Sequence, residues 1–199
     1  MDKDRPAKQQ LISFLSSFPS LERAEVLQLA DMIPVIAPSK GTILIKAGEV
    51  PGECYYVLKG LVRQYQFIDG TERTTEFYTE ANGTVSSTHY TEQTPSGFYL
   101  ECMEDCLLIA GTMELQEAHF EQFPALLDIT KQMLESDLNK AKDQFSKFIL
   151  SSPRERYLHF METRPDLLNR VPLHQIASYL GMTPESLSRI RKRIVSSGN

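Results

Sequence analysis

The hydrophobic positions along the chain change their period twice. Up to Asp31 they fall at helical spacing: Leu11, Ile12 and Leu15 precede Pro19, and Leu21, Ala24 and Leu27 predict a helix over 21–31 with Ser20 as its N-cap. From about residue 33, short runs rich in β-branched and aromatic residues take over, at 42–45, 55–58, 62–67, 73–78, 98–102 and 107–110. Turn residues separate them: Ser39-Lys40-Gly41, Ala47-Gly48-Glu49, Pro51-Gly52, Asp69-Gly70, Asn82-Gly83 and Pro95-Ser96-Gly97. Asp69-Gly70 between two such runs predicts a tight hairpin, because both residues tolerate positive φ. Many short strands at a spacing of about 8–12 residues predict a small sandwich or barrel of the jelly-roll kind.

After Thr112 the period becomes helical again. No Gly or Pro interrupts 125–150, which predicts one long helix beginning at Pro124. Leu127, Leu134, Leu138, Ala141, Phe145 and Phe148 follow one another at steps of seven, four, three, four and three, the seam of a coiled coil, with Lys131 as a polar break. A parallel dimer helix is the expectation, and packing of this helix against its own barrel is the alternative. Pro153 ends it and starts the next helix, with Ser152 as cap. The expected organisation is α+β: an N-terminal jelly-roll β-barrel with leading helices over 1–122, a long dimerisation helix over 123–150, and a C-terminal helix-turn-helix domain over 151–199.

The helix-turn-helix expectation rests on the register from Val171 to Ile194. Ala177 is small enough for a steep helix crossing, and Gly181 four positions on supplies a turn residue tolerant of positive φ. Ile176, Leu180, Met182, Leu187 and Ile190 form a shared apolar core, while Thr183 caps the second helix and Pro184 fills its first position. An ordinary helical hairpin is the alternative.

Charge sharpens this reading. The 199 residues carry 21 Lys and Arg against 26 Asp and Glu, a net −5 with pI near 5.4, which by itself argues against a phosphate-rich partner. The charge is segregated, however. Residues 151–199 hold eight basic and four acidic side chains, a net +4, so that 1–150 carry −9. The exposed N-terminal face of the second helix offers Glu185, Ser186, Ser188 and Arg189 to base edges: Arg189 matches guanine, and Glu185 can accept from cytosine N4. Arg191, Lys192 and Arg193 are expected at phosphates, although a solvated helix end would carry the same run. His174 is equally suited to a phosphate contact or to open surface.

No apolar run approaches the ~20 residues that span a bilayer. The opening MDKDRPAKQQ has no signal-peptide core, so a cytoplasmic protein is expected. Cys54, Cys102 and Cys106 read as buried strand thiols, with Cys102 and Cys106 too far apart on extended chain to form a disulfide. His89, His119, His159 and His174 are scattered without metal-ligand spacing. No metal site and no cofactor is expected. Without a nucleophile-base pairing or phosphate loop, neither is an enzyme.

Barrel, long helix and helix-turn-helix, in that order, resemble the Crp-Fnr transcription regulators. Lys40-Gly41-Thr42-Ile43-Leu44 with Gly48-Glu49, and Tyr55-Tyr56-Val57-Leu58-Lys59-Gly60-Leu61-Val62-Arg63, are similar to that family's strand-turn-strand segments. The resemblance implies a homodimer on double-stranded DNA of two-fold symmetry, and a barrel that senses an effector.

Two departures bear on mechanism. In cyclic-nucleotide binders of this family a Gly-Glu pair and a later Arg-Ser pair hold the ligand. Here Ser86-Ser87 and Ser96-Gly97 stand at those places, and no Arg or Lys occurs from Thr74 to Thr130. An anionic phosphate would lack its cation and meet Glu76, Glu80, Glu92 and Glu101, so cyclic AMP is not the expected effector. If a small molecule binds there, Ser86, Ser87, Thr88 and Tyr99 are the candidates, with loop hydrogen bonding as the alternative. The wing that usually follows the recognition helix has no counterpart in Val195-Ser196-Ser197-Gly198-Asn199. The expected function is a homodimeric DNA-binding transcription regulator of Crp-Fnr type; the alternative is an effector-binding or protein-interaction barrel that does not engage DNA.

Overall fold

The computed structural model describes residues 4–85 and 88–197. Helices α1 (Asp4–Leu15) and α2 (Arg23–Met32) come first, then β1 (Val35–Ile36), β2 (Ile43–Ile45), β3 (Cys54–Lys59), β4 (Val62–Ile68) and β5 (Thr71–Tyr78). After β6 (Thr84–Val85), the short α3 (Thr88–Thr91), β7 (Tyr99–Cys102) and β8 (Leu107–Gly111), the remainder is helical: α4 (Met113–Gln122), α5 (Pro124–Leu150), α6 (Pro153–Thr163), a 3-10 turn at Pro165–Leu167, α7 (Leu173–Tyr179) and α8 (Pro184–Ser197). The fold is α+β, and each of the six strand runs read from the sequence has its counterpart within two residues at either end. The helix expected over 21–31 starts later, at Arg23. Glu22 rather than Ser20 is its N-cap, because the Glu25 carboxylate turns back to accept the Glu22 amide at 2.8 Å.

The strands form two four-stranded sheets, in the orders β1-β8-β3-β6 and β2-β7-β4-β5. In the first, β3 runs antiparallel to β8 with Tyr55 opposite Ala110 and Val57 opposite Leu108. Alternation sends Val57, Val62, Leu100, Cys102 and Leu108 into one core with Phe98. Tyr99 and Glu101 therefore lie on the other face of β7. A second core joins α1 and α2 to Leu58, Phe123 and Ile129. The β4–β5 turn has Asp69 at φ 51° and Gly70 at φ 73°, the positive pair the hairpin required.

The chain divides into two compact units: Met1–Gln64 with Phe77–Leu138, and Tyr65–Glu76 with Asn139–Asn199. The hairpin tip is thus grouped with the C-terminal helices. Among the described residues no helix is long and apolar enough to cross a membrane. Cys102 and Cys106 are both free thiols, but the chain between them is bent rather than extended, and Cys106 Sγ donates to the Glu104 carbonyl at 3.3 Å. The neighbouring Cys106 thiol and burial push the Cys102 thiol far up.

Candidate nucleic-acid interface

In the C-terminal unit, α6 opens on a reciprocal cap. Ser152 donates its amide to the Glu155 carboxylate at 2.8 Å, the Ser152 hydroxyl accepts the Glu155 amide at 3.4 Å, and Pro153 occupies the first turn. The hydroxyl and amide of Ser152 hold the Glu155 carboxyl below its ordinary range. The end of α7 is closed by a Schellman pair: the Met182 amide donates to Ala177 O at 2.9 Å and the Gly181 amide to Ser178 O at 3.0 Å. This geometry needs the left-handed region at Gly181, whose φ is +68°. Thr183 then caps α8, its Oγ1 accepting the Ser186 amide at 3.2 Å. Of the apolar set read from the sequence, Ile176, Leu180, Met182 and Leu187 are buried and Ile190 is half-buried; Ala177 and Leu167 are buried with them.

This core fixes which side of α8 is open. At 100° per residue, Glu185, Arg189, Lys192 and Arg193 fall within about 100° of helix surface, opposite Leu187, Ile190 and Ile194. All four are exposed. Ser186 and Ser188 flank this face, half-buried, and the Ser186 hydroxyl accepts from that of Thr183 at 3.2 Å. Arg191 lies apart, bordering an apolar groove of about 450 Å3 with Tyr157, Ile176, Ile194 and Val195. Hydrogen bonding to its own amide and to Thr183, with the Arg189 charge adding, keeps the Glu185 carboxyl below its ordinary range. His174 is exposed at the start of α7.

One residue that sequence reasoning passed over joins the end of α5 to this motif. Arg156 on α6 lays its guanidinium 3.7 Å from the centre of the Phe148 ring, donates Nε to Phe148 O at 3.1 Å and Nη1 to Leu180 O at 3.4 Å. It thereby serves carbonyls at the ends of α5 and α7, which helix geometry leaves unpaired. The hairpin tip meets α7 as well: the Thr74 amide donates to Ser178 Oγ at 3.0 Å, and Glu76 lies 3.9 Å from Arg164. Burial, with Glu76 as neighbour, pushes the Tyr179 phenol well up. No periodicity in the sequence signals any of these contacts.

The six seam residues of α5, Leu127, Leu134, Leu138, Ala141, Phe145 and Phe148, are all exposed on the single chain, whereas Ile129 on the other side is buried. Phe148 is partly covered by Arg156. Of the ligand candidates, Ser86 and Ser87 lie outside the described residues, Thr88 opens α3, and Tyr99 is half-buried on the face of β7 away from Leu100 and Cys102. A buried cation does stand on the neighbouring strand: Arg63 of β4 is 4% exposed and bonds the Glu101 carboxylate at 3.1 Å. Its charge is met by that acid.

No family model matches the sequence, and no curated protein matches it. Solved structures do. FixK2 from Bradyrhizobium japonicum aligns with TM-score 0.68 at 18% identity over 83% of this chain and 86% of its own. A mutant of CooA from Carboxydothermus hydrogenoformans aligns with TM-score 0.68 at 21% identity over 94% and 85%. The c-di-GMP responsive global regulator CLP of Xanthomonas campestris aligns with TM-score 0.67 at 17% identity over 89% and 93%. The chain thus has the fold its sequence resembles, that of the Crp-Fnr regulators.

Proposed function

We propose that this protein is a homodimeric transcription regulator that binds double-stranded DNA through α8, and that it is not an enzyme. The observation that carries the reading is the exposed face of α8, where Glu185, Arg189, Lys192 and Arg193 stand together on a helix held by a Schellman turn and a Thr183 cap. A rigid helix with a cationic outer face suits the major groove, with Arg189 reading guanine and Lys192 and Arg193 meeting phosphates. Arg191, off this face, is the weakest member of the basic run for that role.

The uncovered seam supports a dimer, with Leu127, Leu134 and Leu138 as its centre. Two α8 helices related by a two-fold axis would then read half-sites about 34 Å apart. The effector of the barrel is proposed to be something other than cyclic AMP, because 74–130 hold no cation and Arg63 is engaged by Glu101. Selection from random duplexes by the purified protein, followed by anisotropy titration, tests the reading. The selected sites should be two-fold symmetric, and Arg189→Ala should cost ~1–3 kcal/mol and relax one base pair per half-site. Equal affinity for all sequences at every salt concentration would leave the barrel as a module that does not read DNA.

A further inference from the structure

On the side of α8 away from Glu185 and Arg189, the apolar groove of about 450 Å3 falls within the ~300–1,000 Å3 of small-molecule sites. Met161 of α6, Leu168 and Val171 of the connection to α7, Leu173 of α7 and Ile194 of α8 make its walls aliphatic, and among the described residues no acid lines it. Two polar groups at the groove lack partners. Tyr157 of α6 lines it and is only 4% exposed, yet its hydroxyl makes no hydrogen bond among the described residues, where a buried phenol ordinarily finds one. Arg191 stands exposed at the rim, and its guanidinium pairs with no described acid or carbonyl. The groove shares no residue with the seam of α5 or with the face of α8 that carries Arg189, Lys192 and Arg193.

We propose that this groove binds a medium-chain alkyl carboxylate. The chain lies along the aliphatic walls, and the carboxylate accepts from Arg191 and from the Tyr157 hydroxyl. Aliphatic walls favour a flexible alkyl chain over a stacked aromatic ring, and an unpaired guanidinium with no opposing acid favours an anion over a neutral chain. One cation favours a single negative charge over the two of a phosphate. Because Arg191 is exposed, its charge is screened and selects among occupants, while burial of the chain supplies the affinity. Walls from α6, α7 and α8 mean that an occupant braces α8 from the side its reading face does not use. An effect of such a ligand on DNA affinity rests on the function proposed above; the binding itself does not.

The test uses the full chain, at concentrations where sedimentation gives its native oligomer, with octanoate as probe and hexanoate and 1-octanol as comparators. Calorimetry should show saturable binding of one octanoate per chain with a rise in Tm. Hexanoate, shorter by two methylenes, should bind weaker by about tenfold. The neutral alcohol should bind weaker by about threefold or more. Arg191→Gln, at an exposed position, should weaken octanoate by that same factor and leave 1-octanol unchanged. Tyr157→Phe keeps the ring in the core, removes the unpaired hydroxyl, and should weaken octanoate by about fivefold. Absence of saturable octanoate binding at millimolar concentration overturns the proposal, as does hexanoate binding as tightly as octanoate. Equal binding of 1-octanol overturns it too, and would leave the groove a purely apolar surface for contact with another protein. Binding indifferent to both variants would place octanoate elsewhere on the chain. All of these readouts are taken without DNA, so they stand or fall separately from the Arg189→Ala result.

Discussion

At the scale of single residues, Gly181 is the position where backbone and packing constrain the sequence together. Its φ of +68° costs an L-residue about 1–2 kcal/mol, and a Cβ there would sit 3.1 Å from Phe148 Cζ, under the ring that Arg156 covers. Gly181→Ala should therefore lower stability by at least that amount in chemical denaturation. Gly97→Ala, whose Cβ would meet only His89 Nε2 at 3.9 Å, should be close to neutral. Equal losses for the two would mean that neither the turn nor the Phe148 contact is under strain. His119 on α4 gives the pH dependence. Burial lowers its pKa below the ordinary 6.5, so the unfolded chain binds a proton that the folded chain refuses. Stability should fall as pH drops through 6.5, and His119→Gln should flatten that part of a Tm-against-pH profile relative to the parent. An unchanged slope would place the titration elsewhere.

At the scale of elements, the sequence was legible wherever a local rule decides the outcome. Asp69-Gly70 specified its hairpin, the absence of Gly and Pro specified α5, Ser152-Pro153 and Thr183-Pro184 specified two helix starts, and Gly181 specified the turn between α7 and α8. It was illegible where the deciding contact joins distant positions. The Ser178 hydroxyl meets the Thr74 amide across 104 residues, and Cys106 meets Cys102 only because of how the intervening turn bends. The misreading at Ser20 has a local cause instead, since Glu22 and Glu25 form a competing capping box two residues on. The seam of α5 lies between the two cases: its spacing is plain in the sequence, its residues are exposed on the single chain, and only the dimer proposed above would cover them. Leu134→Glu combined with Leu138→Glu places two charges on that exposed face. Sedimentation should show the parent as a dimer and the double variant as a monomer, with helix content unchanged and DNA affinity reduced. A double variant that stays dimeric would move the interface off α5.

At the scale of the whole molecule, the net −5 conceals a division that would make the proposed DNA binding strongly dependent on salt. The body of the chain, at −9 over 1–150, repels a polyanion, and only the +4 of 151–199 attracts it, so the attractive groups must act at close range on α8. Each phosphate neutralised contributes about −0.9 to the slope of log K against log salt. With Lys192 and Arg193 from both protomers on phosphates, those four contacts account for about −3.6 of the slope. Replacing both residues by Gln should flatten the slope by about that amount and weaken specific and non-specific sites alike, since phosphates carry no sequence information. Arg191→Gln, removing a charge of the same sign from the groove side of the helix, should change the slope far less. If Arg191→Gln flattened it as much as loss of Lys192 or Arg193, the attraction would be a general field of the C-terminal unit, and the face of α8 defined by Glu185 and Arg189 would not be the one that meets DNA.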